Sequence, residues 1–282
     1  MSPSRRDFLH TTAAASAAAA AGLGALAGPL AAPLGAASPV PAPDAQEPGR
    51  DLYELRSYHL RRGPRERLMA DYVRDALIPA LRRHGTGPVG AFNVAIGPDA
   101  PTLHLLIPHP SLASVVALPD RLAADAEYKK AGAPVLDAPA TEPPYDRVES
   151  SLLLAFTSMP RLSLPPQLAA GRGRLFELRR YESHSEAASR TKIGVFNDAE
   201  IAIFRRAGMH PVFFGQTIVG SRMPNLTYLL AYDDMAARDA QWSAFGRDPE
   251  WRAIAAKPEF SDPAIVSSIS SMFLRPAGYS QI

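Results

Sequence analysis

The chain has 282 residues, 46% of them hydrophobic, enough for one large core or two smaller ones. A net charge of +2 and the lack of any long run of like charge exclude an electrostatic platform for nucleic acid. The absence of cysteine removes disulfides, thiolate metal sites and a thiol nucleophile together.

Residues 4–10 read SRRDFLH, and an Ala- and Gly-rich stretch without charge follows through Ala37. This resembles a twin-arginine (Tat) export signal, carried by Arg5 and Arg6, with small-residue cleavage sites near Ala27 and Ala37 and the second preferred. A membrane anchor is the competing reading. Ala and Gly insert weakly, and Pro29 and Pro33 interrupt the segment. We therefore read 1–37 as the signal and expect a periplasmic or secreted protein. The Tat translocase is its partner during export, and no stable membrane anchor remains after cleavage. Residues 38–50 carry four prolines and read as a flexible leader.

The first strand, 52–60, contains LYELRSY and alternates in character. A helix is predicted from Pro64, with an apolar face of Leu68, Tyr72, Val73, Ala76, Leu77, Ala80 and Leu81, stopping at Gly85. Strands at 88–97 and 102–108 follow. A second helix, capped by Ser111, runs toward Tyr128, and a last strand occupies 148–156. The Pro- and Gly-rich segment 157–173 reads as a linker, and APVLDAPATEPPYDR (133–147) as a surface loop or a lid.

From 175 the pattern begins again with LFELRRY. A single offset of 123 aligns the two halves without a gap: Glu54 with Glu177, Arg56 with Arg179, Tyr58 with Tyr181, Gly85 with Gly208, Gly97 with Gly220, and Asp125 with Asp248. One register held this long marks a duplication. The second helix of the second copy begins at Asp234, and its last strand lies at 267–274. Each copy has the order βαββαβ, the ferredoxin-like unit, with both helices on one face of an antiparallel sheet. The two open sheet faces can meet and close a barrel. We therefore place one domain at 51–156 and the other at 174–282, an α+β architecture.

FELRRY, the Tyr232–Asp233 turn, Arg238 and the Asp248-Pro249-Glu250-Trp251 run resemble the NIPSNAP family, a branch of the dimeric α/β-barrel superfamily. The resemblance is clearest over 174–276. The first copy departs from it, with His109-Pro110-Ser111 at the turn and Tyr128 opposite Trp251. It implies two tandem ferredoxin-like domains forming an intramolecular dimeric α/β barrel. The superfamily holds cofactor-free monooxygenases, isomerases, haem enzymes and proteins without known activity, so fold does not choose among them.

Parity places Glu54, Arg56 and Tyr58 on one face of their strand, and Glu177, Arg179 and Tyr181 on one face of theirs. If the open faces meet, these six point into the barrel, joined by Asn93 and Gln216. Buried charges must be paired, so the plain reading is one self-satisfied Glu–Arg pair per copy. The sharper reading is a pocket in which Arg binds a carboxylate or enolate, Tyr hydrogen-bonds it and Glu acts as base. Trp242, Phe245 and Trp251 read as core packing. The seven histidines show no metal-ligand spacing, and there is no phosphate-binding glycine loop. We expect no cofactor and no metal. A small molecule is the expected partner. The leading functional reading is a binding or non-catalytic barrel, with a cofactor-independent monooxygenase or isomerase, then an interaction scaffold, as alternatives.

Overall fold

A computed structural model describes residues 49–282. The Arg5–Arg6 pair, the 1–37 signal and nearly all of the 38–50 leader lie outside the described residues. Strand β1 (Leu52–His59) leads into α1 (Pro64–Tyr72), a π-helical turn (Val73–Leu77) and α2 (Ile78–Arg83). Then come β2 (Gly90–Ile96), β3 (Thr102–His109), α3 (Leu112–Ala124), α4 (Ala126–Leu136) and β4 (Arg147–Ala155). A short α5 (Pro166–Ala169) separates the copies. The second copy repeats the series: β5 (Leu175–Glu182), α6 (Glu186–Val195), a π turn (Phe196–Glu200), α7 (Ile201–Arg206), β6 (His210–Val219) and β7 (Asn225–Tyr232). It ends with α8 (Met235–Arg247), α9 (Pro249–Ala255), α10 (Asp262–Ile265) and β8 (Ser268–Pro276).

The helix stops and starts follow from local chemistry. Gly85 and Gly208 take left-handed φ angles of 75° and 87°, which glycine adopts without steric cost. Ser111 and Asp234 cap α3 and α8 by accepting from the third residue on, at 3.2 and 2.8 Å. The second predicted helix of each copy is broken in two. Asp125 and Asp248 interrupt it and cap the next segment, accepting from Tyr128 N at 2.9 Å and Glu250 N at 3.0 Å.

The eight strands close one antiparallel barrel in the order β1-β3-β2-β8-β5-β7-β6-β4. The copies join edge to edge. β2 pairs with β8, setting Phe92 opposite Pro276, and β4 pairs with β6, setting Ala155 opposite Gly215. Each copy thus supplies the other's missing neighbour, and no strand edge is left open. A Cβ at Gly215 would lie 2.8 Å from the Leu153 side chain, so only glycine lets β4 approach β6 there. The 157–173 segment is docked rather than loose: Met159 is buried, Ser163 N bonds Val212 O at 2.8 Å, and Gln167 reaches Asp233 at 2.7 Å.

Strand parity holds, but the faces are the reverse of those expected. The barrel interior is lined by Tyr53, Leu55, Phe176 and Leu178, together with Phe92, Leu106, Phe213 and Leu274. Rings from opposite copies meet there, Tyr53 with Phe213 at 5.1 Å and Phe92 with Phe176 at 4.8 Å. Glu54, Arg56 and Tyr58, like Glu177, Arg179 and Tyr181, point outward beneath the helices of their own copy. The reason lies in β3 and β7. Leu103, Leu105 and Ile107, and Leu226, Tyr228 and Leu230, already give the helices an apolar surface. The first strand of each copy can then carry paired charges on that side.

Candidate functional site

The predicted residues assemble into two similar clusters rather than one central pocket. In the first copy Arg56 grips Glu54 with two parallel hydrogen bonds, Nε to Oε1 at 2.8 Å and Nη2 to Oε2 at 3.0 Å. Its Nη1 donates to Tyr58 Oη at 3.2 Å. Ser150 Oγ donates to Glu54 Oε1 at 2.7 Å, and His109 Nε2 stands 3.6 Å from Oε2, beyond hydrogen-bond length. Burial alone would push the Glu54 carboxyl up. The polar neighbour His109, the Arg56 charge and the Arg56 and Ser150 hydrogen bonds outweigh it and hold the group down to about 2.

The second cluster is more densely bonded. Glu177, fully buried, accepts from Arg179 Nη1 at 2.7 Å, from Arg238 at 3.0 and 3.1 Å, and from Ser271 Oγ at 2.8 Å. Tyr232 and Trp242 reach it at 3.3 and 3.2 Å. Arg179 also donates to Tyr228 Oη at 2.9 Å and Tyr181 Oη at 3.1 Å, and it lies 4.6 Å from the centroid of the Trp242 ring. Burial raises the Glu177 carboxyl, but Arg238 and Arg179 bring it to about 2.

What separates the clusters is the helix above each. The 123-residue offset carries Arg238 and Trp242 of α8 onto Val115 and Pro119 of α3. Neither can reach the strand as Arg and Trp do. A cavity of about 660 Å³ opens there, floored by Glu54, Arg56 and Ser150 and walled by Val115, Leu118, Pro119, Leu122, Leu136 and Leu152. Tyr128, Lys129 and Asp137 also line it. Arg56 retains 21% side-chain exposure, against 13% for Arg179. Three of its five N–H groups are engaged, which leaves two free for a ligand. The segment 133–147 takes part: its first residues finish α4, which supplies Leu136, and Tyr145 packs on Tyr58 at 5.3 Å.

The NIPSNAP family profile matches residues 53–142 and 176–281, once in each copy. The chain belongs to the NIPSNAP family. Among solved structures, a candidate monooxygenase from Fusobacterium nucleatum superposes on this NIPSNAP chain with a TM-score of 0.53 at 7% identity, covering 82% of this chain and 94% of its own. A second candidate monooxygenase, from Lactobacillus acidophilus, gives 0.53 at 8% identity, covering 80% and 94%. At such identities the likeness concerns the fold alone, an eight-stranded α/β barrel. A NIPSNAP-like domain protein from Burkholderia xenovorans is 21% identical, covers 39% of this chain and 90% of its own, and has a TM-score of 0.35. Among curated proteins no relative matches the chain.

Asn93 and Gln216 join neither cluster. Asn93 is exposed opposite Arg275 and lines a surface groove with it, and Gln216 lies half-buried between Leu154 and Leu226. Sequence reading missed Arg238, Trp242 and Ser271 as partners of Glu177, and His109 and Ser150 as neighbours of Glu54. The signal for the first two was available. Laying the copies on one register sets Val115 and Pro119 where the second copy has Arg238 and Trp242, the difference that accompanies the cavity. No group of acidic or histidine side chains suited to a metal ion occurs among the described residues.

Proposed function

We propose that this NIPSNAP chain is an exported small-molecule-binding protein. Its ligand is an apolar molecule with one acidic or hydrogen-bond-accepting end, held in the cavity of the first copy. The contrast between Val115/Pro119 and Arg238/Trp242 carries the reading: the second copy fills the equivalent space with its own side chains, and the first leaves it open. The apolar walls receive the body of the ligand, and the two spare Arg56 N–H groups receive its acceptor end. Binding suits the cluster better than base catalysis. A carboxylate held to about 2, with both oxygens already beside donors, is a weak proton acceptor.

The probe is 1-anilinonaphthalene-8-sulfonate, an aromatic body with one anionic end. Titrated into the purified chain, it should show saturable fluorescence enhancement, and Pro119→Trp, which gives α3 the residue of α8, should weaken that binding tenfold or more, a loss of about 1.4 kcal/mol. Equal affinity in the variant would move the ligand elsewhere. Export rests on the Arg5–Arg6 pair and the uncharged stretch behind it. Replacing both arginines with Lys should leave the precursor in the cytoplasm, and normal export of that variant would remove this part of the reading.

A further inference from the structure

A second cavity lies at the opposite side of the sheet from the first, inside the barrel mouth. It measures about 710 Å³ and opens where β1 and β5 end, while the other end of the barrel is filled by Tyr53, Phe92, Phe176 and Phe213. Inward parity continues along both strands past the apolar part and brings Ser57, His59 and Arg180 into the mouth. From β3 comes His104, whose Nδ1 shares a hydrogen bond with Ser57 Oγ at 2.8 Å.

We infer that this mouth is a second binding site, distinct from the cavity under α3, for a small oxyanion bound through Arg180. Three observations carry it. The first is that Arg180 makes no hydrogen bond and no ion pair in the structure, and its Nε is buried without a partner. Arg180 as a whole is half-buried, so its guanidinium keeps its charge at the mouth while one N–H lacks an acceptor, and its planar fork matches a carboxylate or phosphate.

The second is the charge around it. The other cations of the mouth are already matched: Arg147 with Glu149 at 3.0 Å, and Arg222 with Glu182 at 3.4 Å. His59 Nε2 faces Glu149 at 3.5 Å, too far for a hydrogen bond, and is buried without one. Asp99 is an exposed carboxylate at the rim. Glu182 and Glu149 act on Arg180 only from a distance, each being in contact with another arginine, so Arg180 is the mouth arginine without an ion-pair contact among the described residues. His104 stays uncharged down to about 4, because burial and then the nearby His59 and Arg180 disfavour its protonation, so it offers a hydrogen bond rather than a second charge.

The third is the asymmetry. The offset that relates the copies places Ser57 where the second copy has Arg180, His59 where it has Glu182, and His104 where it has Thr227. Two identical copies would set Arg180 against Arg180. The fused chain instead sets one arginine from β5 against serine and histidine from β1 and β3. Duplication followed by divergence gives one anionic group a single place to bind.

The test uses inorganic phosphate and succinate as probes, with sodium chloride at equal ionic strength as reference, and follows thermal unfolding of the purified chain and of Arg180→Gln. At ten times its Kd, a bound probe should raise the parent's melting temperature by about 4 °C. The same probe should raise that of Arg180→Gln by less than about 1 °C, whatever the variant's own melting point. A response to succinate alone points to a carboxylate ligand, and a response to phosphate to a phosphorylated one. No shift with either probe, or an equal shift in Arg180→Gln, would overturn the site. Histidine ring signals give an independent reading: probe binding should shift His59 and His104 resonances in the parent, and unmoved signals would count against the assignment.

Discussion

Residue by residue, the copies spend their charges in the same way at the first strand and differently above it. Glu54 and Glu177 are both held to about 2 against an ordinary 4.5. The folded carboxyls therefore bind protons less readily than the unfolded ones. Their stabilisation is complete above about pH 4.5 and fades as pH falls toward 2, with about 3 kcal/mol at stake for each. Chemical denaturation should show stability falling between pH 6 and pH 3, and Glu177→Gln should lose part of that dependence along with stability at pH 6. An unchanged pH profile in the variant would contradict the ion-pair account. Parity along LYELRSY and LFELRRY was enough to show which residues travel together. It could not show which side faces the partner sheet, because both faces are largely buried and both carry aromatic residues. Arg180 illustrates the cost: parity put it with Leu178, and only the observed direction of that face reveals an arginine inside the barrel.

At the scale of elements, caps and stops were the most legible features. Gly85, Gly208, Ser111 and Asp234 stand where local backbone chemistry requires them. The breaks at Asp125 and Asp248 were harder to read. The apolar pattern continues through them, and each aspartate both ends one helix, its N–H bonding Leu122 O or Phe245 O at 3.1 Å, and caps the next with its side chain. Both also bind the last residue of an earlier helix, Arg83 of α2 to Asp125 at 2.7 Å and Arg206 of α7 to Asp248 at 2.8 Å, a link between distant segments that no local pattern announces. The cap at Asp234 can be tested in isolation. Asp234→Ala should cost about 1 kcal/mol by urea denaturation, and Asp234→Ser should recover most of it. No loss in the alanine variant would mean that α8 is held by its packing alone.

For the whole molecule, one offset of 123 residues predicted the repeated unit, and the open sheet faces predicted a barrel. Sequence did not show that β2–β8 and β4–β6 would join by ladders, since strand edges carry no side-chain signature of their partner. The functional content lies where the repeat is broken: Val115 and Pro119 under one pair of helices, Ser57 against Arg180 in the mouth. On this reading the first copy holds an open site that the second has closed. A crystal structure of the chain with 1-anilinonaphthalene-8-sulfonate tests it most directly. The probe should lie under α3 with its sulfonate on Arg56, and none should lie between α8 and Arg179. Density beneath α8, or none under α3 at saturating probe, would contradict it.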